Sequence, residues 1–264
     1  MEKYALVTGA AGGMGKATVS ALLKEGYFVF ALDKTMPEER TGVLPIAVDI
    51  TDSAALASAL ALVREKTERI DALVHLAGIY MLDSLIEMEE SALRALFDVN
   101  FFGVFLVNKV FASLLGEGSR ILIVTSELAT LSPLPFTGCY AVSKAALDKY
   151  AYSLRMEMQL LGISVSVLRA GAVNTGMLPA STAALSRFTE KTTLYSPNAR
   201  RFENIVARVE ARHISPEKLA EKARRILKKR RAKFAYSINR NPLLLLLEVL
   251  PSAFRFFIIR RILR

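Results

Sequence analysis

Cysteine and histidine are nearly missing from this chain. One cysteine, Cys139, stands among 264 residues, so no internal disulfide can form, which fits a reducing, cytoplasmic compartment. The two histidines, His75 and His213, lie far apart and offer no metal-ligand spacing, so no catalytic metal is expected. No uninterrupted apolar run approaches the roughly 20 residues of a spanning helix. The opening MEKYALVTGAAGG is not a secretory signal, because glycine breaks its short apolar run. There is no internal repeat, no low-complexity linker and no nucleic-acid recognition module, so nucleic acid is not expected as a partner.

Acidic residues are scarce at one end only. Residues 199–264 hold eighteen Lys/Arg against five Asp/Glu, a net +13, while the remainder holds seventeen against twenty. The overall +10 therefore belongs to the last quarter of the chain and points to a surface partner for that end.

What is present is an alternation. Apolar runs at 4–8, 28–33, 45–50, 70–78, 121–126, 163–171 and 233–238 read as strands. Helical patterns lie between them, among them 53–67, 91–116 and 138–161. Strands separated by helices imply right-handed crossovers and a parallel sheet covered on both faces. The expected fold is α/β: a doubly wound, Rossmann-like sheet in one domain over 1–238, with a helical C-terminal extension over 239–264. The segment 176–213 has no clean pattern and lies where an insertion over a binding crevice would lie.

TGAAGGMG places Gly9, Gly13 and Gly15 between the first strand and first helix. Glycines there allow a sharp turn and close approach to a pyrophosphate, whose charge a helix N-terminus favours. Asp33 ends the second strand, where an acid accepts from adenosine ribose hydroxyls and repels a 2′-phosphate. NAD is thus favoured over NADP, although Lys34 is a neighbouring cation that offsets some of that repulsion. Further on, YAVSK puts Tyr140 and Lys144 on one helix face. A nearby ammonium, with the positive ring of an oxidised nicotinamide, lowers a phenol's pKa and suits it to acid–base work beside hydride transfer. Ser126 closes the ILIVTS strand, where its hydroxyl can hold a substrate oxygen. Each feature alone has a plain structural explanation: a turn, a solvated strand end, a helix-surface pair.

In this order, TGAAGGMG, Asp33, VDI, LAG, Asn100 in FDVNFFG, Ser126, YAVSK and RAGAVNT resemble the short-chain dehydrogenase/reductase family over about residues 4–176. The resemblance implies Tyr140 as acid/base, and Lys144 as the lysine that tunes it and binds the nicotinamide ribose. It implies Ser126 as substrate-orienting serine and Asn100 as the helix asparagine that holds a water linking Lys144 to solvent; Asn100 is equally a capping or kinking residue. Cofactor contacts are implied for Gly9, Gly13, Met14, Gly15, Asp33, Ala77 and Gly78, for Asp49 and Ile50 beside the adenine, and for Val173 and Thr175 at the nicotinamide end. Three departures stand out: His75-Leu76 replaces an Asn-Asn pair, Ala170-Gly171 replaces Pro-Gly, and Ser126 sits one residue further from Tyr140 than usual. His75 reads as a structural strand-end residue, and Glu127 cannot stand in for the serine hydroxyl.

The resemblance also implies a homodimer or homotetramer through the two long helices. Met177, Leu178, Leu185, Phe188, Leu194, Tyr195 and Phe202 give the 176–213 segment an apolar mix that suits a lipophilic alcohol or ketone, such as a hydroxysteroid, retinoid or long-chain acyl compound. A 3-oxoacyl reductase and a non-catalytic dinucleotide-binding protein are the competing readings. In the tail, Arg260, Arg261 and Arg264 fall opposite Phe254, Ile258 and Ile262 at helical spacing. That composition fits either a peripheral helix beside anionic lipid or a helix docked on its own or a partner subunit.

Overall fold

Seven apolar runs become seven strands, all parallel: β1 (Lys3–Thr8), β2 (Tyr27–Asp33), β3 (Val43–Ala47), β4 (Ala72–His75), β5 (Arg120–Ser126), β6 (Ser164–Ala170) and β7 (Ala235–Ile238). Their spatial order is β3-β2-β1-β4-β5-β6-β7. The chain winds outward from β1 in one direction and then, from β4, in the other, so a crevice opens above the β1/β4 carboxyl ends. This is the doubly wound single-domain sheet expected from the sequence. The computed structural model describes residues 2–174, 177–209 and 213–264, without the side chains of 177–182 and 207–209.

Alternation along each strand feeds two cores. Leu6, Phe30, Leu73, Ile121 and Val165 point to the face covered by α2 (Ser53–Arg64), α4 (Gly103–Phe111) and α5 (Gly138–Met158). Ala5, Val29, Val74, Leu122 and Leu168 point to the face covered by α1 (Gly13–Leu23) and α8 (Pro216–Leu227). Local signals place the helix starts: Asp52 caps α2 by accepting from Ala54 N and Ala55 N at 2.8 and 3.0 Å, and Pro216 opens α8. Pro45 is tolerated because β3 is an edge strand.

Several expectations shift in detail. The third strand ends at Ala47 rather than Ile50, and the fourth spans only 72–75, so Asp49, Ile50, Ala77 and Gly78 all lie beyond strand ends. The long pattern at 91–116 is a rod of α3 (Glu90–Phe97), a π turn over Asp98–Phe102, α4 and a short 3-10 turn. By length and composition this rod could cross a bilayer. Here it is a core helix, with Val104, Val107 and Phe111 buried against the sheet.

The patternless 176–213 segment contains two helices, α6 (Met177–Lys191) and α7 (Ser196–Val209). Leu185, Phe188 and Phe202 do not face the central cavity as expected; they form a satellite core with Ala199 and Leu263, capped by Phe136. A pair of short helices must bury its own apolar faces before it can offer any to a ligand. Leu194 is exposed, and the Met177 and Leu178 side chains lie outside the described residues. The tail forms α9 (Pro242–Val249) and α10 (Ser252–Leu263), docked on their own chain. Glu248 accepts from Ser132 N at 2.9 Å and Ser132 Oγ at 3.1 Å and pairs with Arg255. The inward face of α10 carries Arg255, Ile259 and Leu263; of the Phe254, Ile258 and Ile262 stripe read from spacing, Phe254 and Ile262 are exposed and Ile258 is half-buried.

Candidate active site

The turn after β1 is built for close backbone approach. Gly9 has φ +70°, and a Cβ there would fall 2.6 Å from Ala77 N. Asp33 holds this turn: its Oδ2 accepts from Ala11 N and its Oδ1 from Thr35 N, both at 3.0 Å. α1 begins at Gly13 with no side-chain cap, leaving its first-turn N–H groups open toward an anion. Gly9, Gly13, Met14 and Gly15 line a cleft of about 520 Å³ together with Asp33 and Lys34. Its far wall carries Asp49, Ile50, Ala77 and Gly78. Lys34, the cation that could have softened Asp33, is paired with Asp49 at 2.9 Å. That pairing, and the N–H and hydroxyl of Thr51, hold the Asp49 carboxyl down at about 2; the backbone N–H is the largest cause. A glycine cradle, an open helix end and a strand-end acid fit the adenosine and pyrophosphate of a nicotinamide dinucleotide.

Met14, Leu76, Gly78 and Ile79 also line a second, smaller cavity of about 230 Å³, so the two spaces adjoin. Ser126, Tyr140 and Lys144 all lie on its wall. β5 delivers Ser126 at its carboxyl end, where Oγ accepts from Leu128 N at 3.2 Å and caps the 3-10 turn Glu127–Ala129. α5 presents Tyr140 and Lys144 one turn apart, with the ammonium 5.8 Å from the phenol ring centroid. Tyr80, not singled out in the sequence, packs its ring 4.8 Å from Tyr140. The remaining wall is largely apolar, with Leu76, Ile79, Val124, Leu128, Val173 and Leu244. Leu244 comes from the tail, which gave no sequence signal of reaching a site.

Electrostatics here run against the simple expectation for the tyrosine. Burial pushes the Tyr140 phenol up to about 12, and the Ser126 hydroxyl beside it offsets only part of that. Burial also pulls the Lys144 ammonium down to about 8. Both shifts have one main cause, the cost of a charge away from water. In the protein alone, Tyr140 is a proton donor at neutral pH.

Asn100 sits in the π turn and is buried. Its Oδ1 accepts from Ile79 N at 2.8 Å, and its Nδ2 donates to Ile79 O at 3.0 Å and Ser143 Oγ at 3.1 Å. Ser143 in turn donates to Tyr140 O at 2.8 Å. The asparagine therefore clamps the loop after β4 to the tyrosine-bearing helix. Gly78 fits closely between them, since a Cβ there would lie 3.1 Å from both Asn100 Oδ1 and Lys144 Nζ. Where the sequence has Leu76 for a polar residue, backbone bonds from Leu76 N to Thr8 O (3.2 Å) and from Ala77 N to Thr8 Oγ1 (3.4 Å) hold the strand order. His75 is structural: burial keeps it neutral, with its pKa down at about 4, and Nε2 pairs with Asn108 Oδ1 at 3.0 Å. Val173 lines the cavity and bridges to Ile214; Thr175 lies outside the described residues.

Fold, cleft and adjoining cavity define the class: a Rossmann-like, dinucleotide-dependent oxidoreductase. The family model for short chain dehydrogenase matches residues 3–186. The chain is 31% identical over 212 residues to the short-chain dehydrogenase srdE of Neurospora crassa, covering 78% of this chain and 72% of that protein. It is 26% identical to the 3-ketodihydrosphingosine reductase of Bacteroides thetaiotaomicron, covering 89% and 87%. A short chain dehydrogenase from Burkholderia cenocepacia, solved in complex with NADP, superposes with a TM-score of 0.73 at 22% identity, covering 100% of this chain and 98% of that one. The protein belongs to the short-chain dehydrogenase family and is an NAD(P)-dependent oxidoreductase.

Proposed function

We propose that the protein interconverts a lipophilic secondary alcohol and its ketone, with Tyr140 as acid/base and NAD as the preferred cofactor. The observation that carries this reading is the placement of Ser126, Tyr140 and Lys144 on one largely apolar cavity that adjoins the glycine-lined cleft. The bound nicotinamide would supply or accept the hydride. The chain's own residues would do the rest. Ser126 Oγ and the Tyr140 hydroxyl hold the carbonyl oxygen, and Tyr140 gives it a proton as charge develops there. Lys144 stabilises the phenolate left behind. Asn100 keeps α5 and the loop after β4 in register, and the apolar wall excludes water. In the oxidative direction the same proton returns to Tyr140.

Asp33 supports NAD over NADP, since a carboxylate on the cleft wall repels a 2′-phosphate, and the neighbouring Lys34 pairs with Asp49. A relative named as a 3-ketodihydrosphingosine reductase supports a long-chain substrate. The same acid disfavours a 3-oxoacyl reductase, which would more naturally prefer NADPH. The test is nicotinamide absorbance with NAD and NADP against hydroxysteroids, retinol and long-chain secondary alcohols. Turnover should be faster with NAD and fall by at least about 10³-fold in Tyr140→Phe. Turnover equal in Tyr140→Phe would remove the tyrosine's role, and dinucleotide binding with no turnover across the panel would favour a binding protein.

The assembly proposed is a homodimer or homotetramer, because Phe102 and Phe105 on the rod and Tyr152 and Met156 on α5 are left exposed. We also propose that the extension 239–264 rests on an anionic membrane surface while the enzyme remains cytoplasmic. The domain division is then 1–238 for cofactor and chemistry, with 239–264 closing the cavity from one side.

A further inference from the structure

Glu127 follows Ser126 directly and begins the 3-10 turn 127–129. Only 7% of it is exposed, and it lines the same cavity as Ser126 and Tyr140. Its Oε2 accepts from Asn241 N at 2.7 Å, which helps seat the tail. Its Oε1 has no protein donor among the described residues. A Cβ built at Gly171, another lining residue, would lie 1.9 Å from Asn239 O and 3.1 Å from that oxygen, so Oε1 sits at the Gly171–Asn239 edge of the wall that Glu127 helps to line. Arg240 acts on the carboxyl only through space, and no ion pair to Glu127 forms among the described residues. Burial accordingly raises its pKa.

Seating Asn241 requires one neutral acceptor, which a glutamine would provide. A carboxylate with a free oxygen in a largely apolar wall is costly unless a donor or cation arrives to pair with it. Lys144 shares that wall and would repel a bare cation, so a positively charged ligand group needs a compensating anion here.

We propose that Glu127 determines specificity by receiving an ammonium group carried close to the reacting carbon, so that the substrate is a long-chain vicinal amino alcohol and its amino ketone. This rests on the alcohol–ketone reading of the cavity and narrows it to one substrate class. The chemistry of the reacting carbon is unchanged: in the oxidative direction the hydride would go to the nicotinamide and the alcohol proton to the Tyr140 phenolate, and the amino group takes no part beyond its ion pair with Glu127.

The test compares a long-chain vicinal amino alcohol with the same alcohol bearing methyl in place of the amino group. Binding is read by calorimetry with NAD present, and turnover by absorbance. Wild type should bind the amino alcohol at least roughly tenfold tighter, the least that a buried charge pair typically contributes. Glu127→Gln, which keeps an acceptor for Asn241, should reduce that preference to within about twofold. Glu127→Asp, with its charge withdrawn, should fall between the two and serves if the glutamine variant does not fold. Equal binding of the two alcohols by wild type, or an undiminished preference in both variants, overturns the proposal. If both alcohols are oxidised and bound alike, the alcohol–ketone reading stands and the amino-group proposal falls. If neither is oxidised, the alcohol–ketone reading falls for this substrate class, and the binding preference still decides whether Glu127 receives an ammonium.

Discussion

Tyr140 and Lys144 are perturbed by the same surroundings in opposite directions, and the consequence is a pH limb. The phenol, at about 12, stays protonated across the neutral range. The ammonium, at about 8, does not: it is charged below that pH and is lost as pH rises through it. On the proposed role of Lys144, stabilising the phenolate formed when Tyr140 gives up its proton, ketone reduction should decline above about pH 8 along a single-proton limb. The limb belongs to the lysine rather than the tyrosine. Lys144→Met should therefore be slower throughout and flat from about pH 6 to about 9. The check is kcat/KM for reduction against pH in both proteins. An undiminished limb in Lys144→Met would assign it to another group.

At the scale of elements, what could be read in the sequence was what local chemistry specifies. The strand runs, the glycine turn, Asp33 at a strand end and Tyr140–Lys144 on one helix face are set by residues within a few positions of one another, and the structure has them in those places. Asn100 was legible as a kinking residue but not as part of a π turn. Its partners Ile79 and Ser143 are 21 and 43 residues away in the chain and meet it only once the sheet has formed. The two helices of 177–209 were illegible because their apolar residues pack on Phe136 and Leu263, neither of which is near in sequence. Leu244 was missed for the same reason: the run of leucines in α9 gives no sign of which one faces inward. Its position makes the tail part of the cavity wall. Leu244→Ala should lower kcat/KM for long-chain ketones by roughly 4- to 50-fold, the range for one to three buried methylenes, and leave a small ketone such as acetoin little changed. Equal effects on both ketones, or none on either, would remove α9 from the wall.

Across the whole molecule, charge and exposed apolar surface coincide at one end. α9 and α10 bury one face on their own chain and leave Leu246, Val249, Phe254, Phe256 and Phe257 outward, Val249 at 82% and Phe256 at 70% exposure. Arg260, Arg261 and Arg264 stand exposed beside them, in a terminal quarter with a net +13. The two alternatives read from the tail are thus compatible: one face docks, and the other is free to meet a partner. An apolar surface flanked by exposed arginines is complementary to an anionic bilayer, and less so to a second copy of itself, whose like charges would be brought together. Each arginine near such a surface contributes about 1 kcal/mol, so replacing all three by glutamine should weaken partitioning to vesicles of mixed neutral and anionic lipid by roughly two orders of magnitude. Replacing Phe254, Phe256 and Phe257 by serine should weaken it on neutral and anionic vesicles alike, and raising the salt should mimic the arginine change only. Co-sedimentation with the two vesicle types measures all three. Wild-type protein that stays in the supernatant with both, and forms a dimer that the phenylalanine replacements dissolve, would assign this face to a second subunit and leave the membrane without a role.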